Sequence, residues 1–246
     1  MASGLGRINH IVVLMLENRS FDNMLGFLYK DQGNVSPTGQ PFEGLKGNET
    51  NPDANGKPVQ VFPIQQSAQY SYFMPKADAG EGFLNTNSQL FGTTQPQPTA
   101  TPTNQGFVTN FAFTLGWESK QKNRVLPGTK ATDIMGIYTP QMLPVLSGLA
   151  RGYAVCDHWY ASAPTETMPN RAFALQATSQ GHLDDHTRVF TAPSIFTLLG
   201  QKKQSWAVYG YDAPPLTRQS VADITHQPNT NFGEFKDFAA AVKNGT

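Results

Sequence analysis

Hydrophobic and polar positions divide the chain into three stretches of different character. Residues 8–16 read Ile-Asn-His-Ile-Val-Val-Leu-Met-Leu, and the last six form an unbroken apolar run that ends abruptly at Glu17. A short, continuous run rich in β-branched and aliphatic residues predicts a central parallel strand buried on both faces. Asn18-Arg19-Ser20-Phe21-Asp22-Asn23-Met24-Leu25-Gly26 then opens on cap-type residues and closes on glycine, which predicts a short helix. Glu17 and Asn18 would therefore stand at the carboxyl end of a strand, where open α/β sheets place their ligands.

From Tyr29 to Pro127 periodicity gives way to turn signals, among them Asn51-Pro52, Asn55-Gly56 and Gln95-Pro96-Gln97-Pro98. So long an excursion is either functional or disordered. Its aromatic residues Tyr72, Phe73, Phe83, Phe91, Phe107, Phe111, Phe113 and Trp117 favour an ordered insertion, with a flexible linker as the alternative.

Regular patterning returns at 139–150, where Leu143, Val145, Leu146 and Leu149 mark a helical face and Gly152 a stop. Residues 153–160 read as a second strand, with Cys156 a buried thiol inside it. Pro169-Asn170-Arg171 introduces a helix through Ala177, residues 194–199 another that Gly200 stops, and residues 205–209 a further strand. The alternation predicts a three-layer α/β sandwich with a mostly parallel central sheet. The expectation is a single domain over residues 1–246, with residues 29–127 as its loop-rich insertion.

Charge narrows the function. Eighteen basic residues balance eighteen acidic ones, so no field of one sign exists to gather nucleic acid or coat an anionic membrane. A single cysteine cannot form an internal disulfide. No run approaches the ~20 apolar residues of a membrane-spanning helix, and residues 1–6 lack the pattern of a signal peptide. There is no Gly-x-Ser-x-Gly elbow, Walker loop or dinucleotide fingerprint.

What remains suits phosphoryl chemistry, which needs a cation on the non-bridging oxygens and a nucleophile in line with the leaving group. Glu17 offers a carboxylate and Asn18 a neutral carbonyl to a single ion. Thr167, just ahead of a helix start, would set a hydroxyl near backbone N–H groups that favour an anion. On spacing alone, plain helix caps and a turn threonine explain the same residues equally well. His182-Leu183-Asp184-Asp185-His186 has ligand-type residues, but it reads as a solvated loop.

The segment from Ile8 through Glu17-Asn18-Arg19-Ser20-Phe21-Asp22 resembles the opening motif of the phosphoesterase family of bacterial phospholipases C, plant non-specific phospholipases C and an acid phosphatase branch. Ala154-Val155-Cys156-Asp157-His158-Trp159-Tyr160-Ala161-Ser162-Ala163-Pro164, followed by Thr167-Met168-Pro169-Asn170-Arg171, resembles the same family's nucleophile segment. Weaker landmarks lie at Asn104-Gln105-Gly106-Phe107-Val108 and Asp133-Ile134-Met135-Gly136-Ile137-Tyr138. The resemblance implies an alkaline phosphatase-like sandwich and an exported enzyme, secreted or periplasmic. It implies a divalent ion (calcium, magnesium, zinc or manganese) on Glu17, Asn18 and Thr167, with Thr167 as nucleophile and Asn170 holding the phosphate. The implied substrate is a phospholipid or other small phosphoester, the monoesters of the phosphatase branch being the alternative.

Three departures stand out. The family's later acidic metal ligands do not occur before Thr246, so a second chain or a C-terminal segment is expected to supply them, and the chain reads as the N-terminal portion of a longer unit. Glu81 stands where many relatives carry histidine, and Thr165-Glu166 where phospholipase C branches often carry Gly-Pro or small residues.

Overall fold

The computed structural model describes residues 4–122, 124–211 and 214–245. Its architecture is mixed α/β: eight α-helices and three two-stranded sheets among the described residues, joined by long loops. No central sheet forms there.

The first helix, α1 (Phe21–Leu25), is where the cap residues place it. The Ser20 hydroxyl accepts the Asn23 N–H at 3.1 Å, satisfying one of the donors a helix start leaves open. Gly26 follows its last turn, and nothing larger fits there: an added Cβ would lie 2.5 Å from the Asp22 carbonyl and 2.8 Å from Leu45.

Strands β1 (Thr50–Pro52) and β2 (Pro58–Gln60) form an antiparallel hairpin. Its turn is held by the Asp53 carboxylate, which accepts the N–H groups of Asn55 and Lys57. Strand β3 (Phe62–Pro63) pairs in parallel with β4 (Gly136–Ile137), closing a wide loop. That loop contains α2 (Gly82–Phe91) and α3 (Phe107–Glu118). Phe27, Val61, Val108, Met135 and Ile137 pack together as the main core. Of the aromatic residues expected to anchor this region, Phe111 is fully buried, whereas Tyr72, Phe73, Phe83, Phe113 and Trp117 reach solvent.

Helix α4 (Pro144–Gly152) starts on proline, as suits a first turn. It buries Ser147 and Ala150 and leaves Val145 and Leu149 exposed, so the apolar face read from the sequence is not the packed one. Helices α5 (Thr167–Gln176) and α6 (Ile195–Gln201) follow. Strand β5 (Val208–Gly210) pairs in parallel with β6 (Phe232–Glu234) across α7 (Leu216–Ser220), and α8 (Phe235–Asn244) completes the order.

Two expected strands are absent. Residues 8–16 enter no ladder, and Ile11 and Val13 are 84% and 78% exposed. A strand that is apolar on both faces needs a neighbour at each edge and a layer on each side, and no described element supplies either. Residues 153–160 likewise form a loop with Tyr153, Trp159 and Tyr160 exposed. Cys156 is exposed rather than buried, because the sheet that would have covered it is not formed.

Candidate active site

The site is built around the start of α5. Glu166 caps the helix in extended conformation and Thr167 is its first residue. Pro169 sits in the first turn, where its missing N–H costs nothing. The orphan N–H of Met168 is taken by the Asp185 carboxylate at 2.6 Å. A negative group thus already occupies the anion-favouring end of the helix.

Asn170 anchors the loop in front of Thr167. Its amide oxygen accepts the Ala163 N–H at 3.2 Å, and its amide nitrogen donates to the carbonyls of Ala163, Thr165 and Glu166 at 3.1, 3.3 and 3.0 Å. The Thr165 hydroxyl donates to the Leu183 carbonyl at 2.6 Å, drawing residues 182–186 against the same helix end.

One turn along the helix, Arg171 binds Glu17, Nε to Oε1 at 2.5 Å. Residues four apart share a helical face, so the pair brings Glu17 to the face that begins at Thr167. Asn18 follows with φ +64°, a left-handed conformation that asparagine tolerates better than most residues. The turn lets the chain leave its extended segment and reach the Ser20 cap two residues later.

The surroundings are acidic. The carboxyl of Glu81 is pushed above its ordinary range, first by burial and then by the charges of Asp78, Asp185, Glu166 and Glu17. Glu166 accepts the Asp185 N–H through one oxygen. A Cβ added at Gly82 would lie 2.5 Å from the other. Gly82 also has φ +85°, so the backbone favours glycine there. Among the described residues no three His, Cys, Asp or Glu side chains form a ready metal-binding group. The donors near Thr167 that suit a hard cation are mixed in type: carboxylate, amide carbonyl and hydroxyl.

A second polar knot ties the loop after α4 to the start of the chain's long excursion. His158 lies between the Glu43 carboxylate at 2.6 Å and that of Asp157 at 3.0 Å, and Asp157 also accepts the Glu43 N–H at 2.7 Å. The imidazole is held above its ordinary range, chiefly by the hydrogen bond with Asp157 and then by the charge of Glu43.

Thus Glu17, Asn18, Thr167 and Asn170 stand on two segments that the Arg171–Glu17 pair joins. Asp185 and Arg171 were not singled out from the sequence. Asp185 sits in a tract that reads as an ordinary polar loop, and its contacts with Met168 and Glu166 separate it from its neighbours. Arg171 belongs to a recognised motif, but nothing local says which carboxylate it meets.

Comparison with known proteins supplies context. Residues 8–245 match the model of the phosphoesterase family. Non-specific phospholipase C1 of Arabidopsis thaliana is 32% identical over 217 residues, covering 85% of this chain and 36% of that protein. Non-specific phospholipase C3 of the same plant is 30% identical over 94% of this chain and 43% of its own length. Phospholipase C A of Mycobacterium tuberculosis (strain ATCC 25618 / H37Rv) is 27% identical over 69% of this chain and 29% of its own. The chain spans less than half the length of each of these relatives.

Proposed function

The chain belongs to the phosphoesterase family, and from that premise we propose that it hydrolyses phosphoric esters, most naturally by phospholipase C-type cleavage of a phospholipid phosphodiester. The observation that carries the reading is the Arg171–Glu17 pair, which sets a carboxylate on the helical face opened by Thr167. In the first step the Thr167 hydroxyl oxygen bonds to phosphorus and the bond to the leaving alcohol breaks. The alcohol leaves with a proton. Water then attacks phosphorus, the bond to Thr167 breaks, and the phosphorylated head group departs.

Glu17, Asn18 and Thr167 would hold a divalent ion; calcium, magnesium, zinc and manganese all accept such oxygen donors. The need for a cation follows from charge. Asp78, Asp185, Glu166 and Glu17 lie close enough to Glu81 to push its carboxyl upward, and an anionic phosphate beside them would gain from a further positive charge. When bound, the ion neutralises the phosphate oxygens and polarises phosphorus toward attack. Arg171 holds Glu17 in place. Asn170 fixes the loop that positions Thr167, and a direct phosphate contact would require it to exchange one of its loop bonds.

The same charge argument favours diesters, with one negative charge, over the dianionic monoesters of an acid phosphatase. Turnover of an aryl phosphocholine diester and an aryl phosphate, with and without divalent ions, tests the choice. Diester turnover that requires the ion and is lost in Thr167→Ala is the expected result. Dominant monoester turnover would move the assignment to the phosphatase branch.

A second reading rests on the bare segments at 8–16 and 153–160 and on the relatives' greater length. In it, a three-layer sandwich closes only when a further segment or a second chain adds strands beside residues 8–16 and contributes acidic ligands. No turnover by residues 1–246 alone, restored by adding that segment, would support this reading over independent activity. No helix among the described residues is long and apolar enough to cross a membrane. Export to the periplasm or medium is part of the proposal, and cell fractionation tests it.

A further inference from the structure

Helix α3 turns polar residues inward and aromatic ones outward. Asn110, Thr114 and Glu118 are buried beside Val108 and Phe111, and each of the three has a partner there. The Asn110 amide nitrogen donates to the Asn85 side-chain oxygen at 3.0 Å, and its oxygen accepts Gln89 Nε2 at 2.9 Å. The Thr114 hydroxyl donates to the Asn110 carbonyl at 3.0 Å, and Glu118 Oε1 pairs with Arg124 at 3.6 Å. On the outer side Phe113 is 75% and Trp117 53% exposed, and residues four apart share a helical face. A helix that faces only water has polar residues there. Ala112 and Gly116 beside the rings are exposed too, and a Cβ added at Gly116 would meet no atom within 4 Å. The two rings project from small neighbours.

Cations follow the rings. Residues 119–132 include Lys120, Lys122, Arg124 and Lys130 and no acidic residue. Lys120 lies within a turn of Trp117, whose carbonyl accepts its N–H at 3.0 Å. Lys120 and Lys122 are exposed and form no ion pair among the described residues. The acids that bound this stretch are buried and paired, Glu118 with Arg124 and Asp133 with Lys76. The chain-wide balance of charge, which argues against an anionic membrane, does not hold at this end of α3.

Projecting rings bordered by unpaired lysines suit the headgroup layer of a phospholipid surface. Tryptophan favours the boundary between headgroups and acyl chains. Lysine lays its stem along apolar surface and offers its ammonium to anionic headgroups. A fluid layer needs no cavity shaped to the rings, whereas a protein partner does. We propose that the outer face of α3 docks the protein on an anionic phospholipid surface. The choice of lipid over protein rests also on the phospholipase reading. The face is connected to the candidate active site through α2: Gln89, bonded to Asn110, donates to the Gly80 carbonyl at 2.7 Å. Glu81 and Gly82 follow directly, and Glu166 Oε1 lies against Gly82.

Flotation with vesicles of phosphatidylcholine, alone or mixed with phosphatidylglycerol, tests the docking. Binding to mixed vesicles that weakens with salt is expected. Phe113→Ser together with Trp117→Ser should lower it roughly tenfold or more. Lys120→Gln and Lys122→Gln should each lower it roughly fivefold. Turnover of a soluble aryl phosphocholine diester reads the esterase assignment separately and should be the same in all these variants. Absence of binding by the unaltered protein to mixed vesicles would overturn the docking whatever the turnover, and that result depends on no variant folding. Undiminished binding by the folded double serine variant would overturn it as well. A concentration-dependent dimer in sedimentation that the serine changes abolish, with vesicle binding intact, would assign the face to a second copy of the chain and overturn the proposal. Vesicle binding lost in the serine variant, with no diester turnover in any form, would support the docking and count against the esterase assignment alone.

Discussion

Asn170 commits its whole side chain to the loop that precedes Thr167, and Glu81 stands among four other carboxylates. These two residues make opposite predictions for stability. Asn170→Ala leaves the Ala163, Thr165 and Glu166 backbone groups without partners, at a cost of about 1–3 kcal/mol. At about 2–4 °C per kcal/mol for a chain of this size, thermal melting should show the drop, and turnover should fall with it. For Glu81 the sign runs the other way. A carboxyl raised on folding adds stability below its ordinary value of 4.5, which is lost as pH rises through the folded value. Glu81→Gln should therefore gain on the native protein in melting temperature as pH rises above that value, and show no such gain in acid. A gain independent of pH would place the effect elsewhere. Neither role was legible in the sequence: Asn170 belongs to a family motif without showing that it holds a loop, and Glu81 registered only as a departure from histidine.

Short-range signals read well at the scale of elements. Ser20 caps α1, Gly26 closes it, Asn55-Gly56 turns the first hairpin and Ser194 opens the helix expected at 194–199, whereas the helix expected over 139–150 starts only at Pro144. Each depends on neighbours a few residues away. Readings that required distant partners diverged: residues 8–16 and 153–160 have the composition of buried strands but no strands beside them. Composition records the environment a segment suits, and pairing decides whether it finds that environment. A charge in the first segment tests this. Val13→Asp lies on exposed surface in this chain, so it should change stability by no more than about 0.5 kcal/mol in chemical denaturation. On the proposed pairing with a further segment, the same change should abolish association. A large loss of stability in the isolated chain would show that residues 8–16 are packed within it.

At the scale of the molecule, equal numbers of acidic and basic residues hide an uneven distribution. The carboxylates gather around Thr167, and the sum over the chain conceals them. Family membership was legible because contiguous motifs survive in sequence; the acidic basin was not, because its members come from residues 17, 78, 81, 166 and 185. The central claim is that Thr167 attacks phosphorus, and the most direct measurement is rapid acid quench of the protein with an aryl phosphocholine diester and divalent ions, followed by peptide mass spectrometry. The account predicts that the peptide carrying Thr167 gains the mass of a phosphocholine ester, and that Thr167→Ala yields neither adduct nor product. Product formed at an undiminished rate by Thr167→Ala would contradict it.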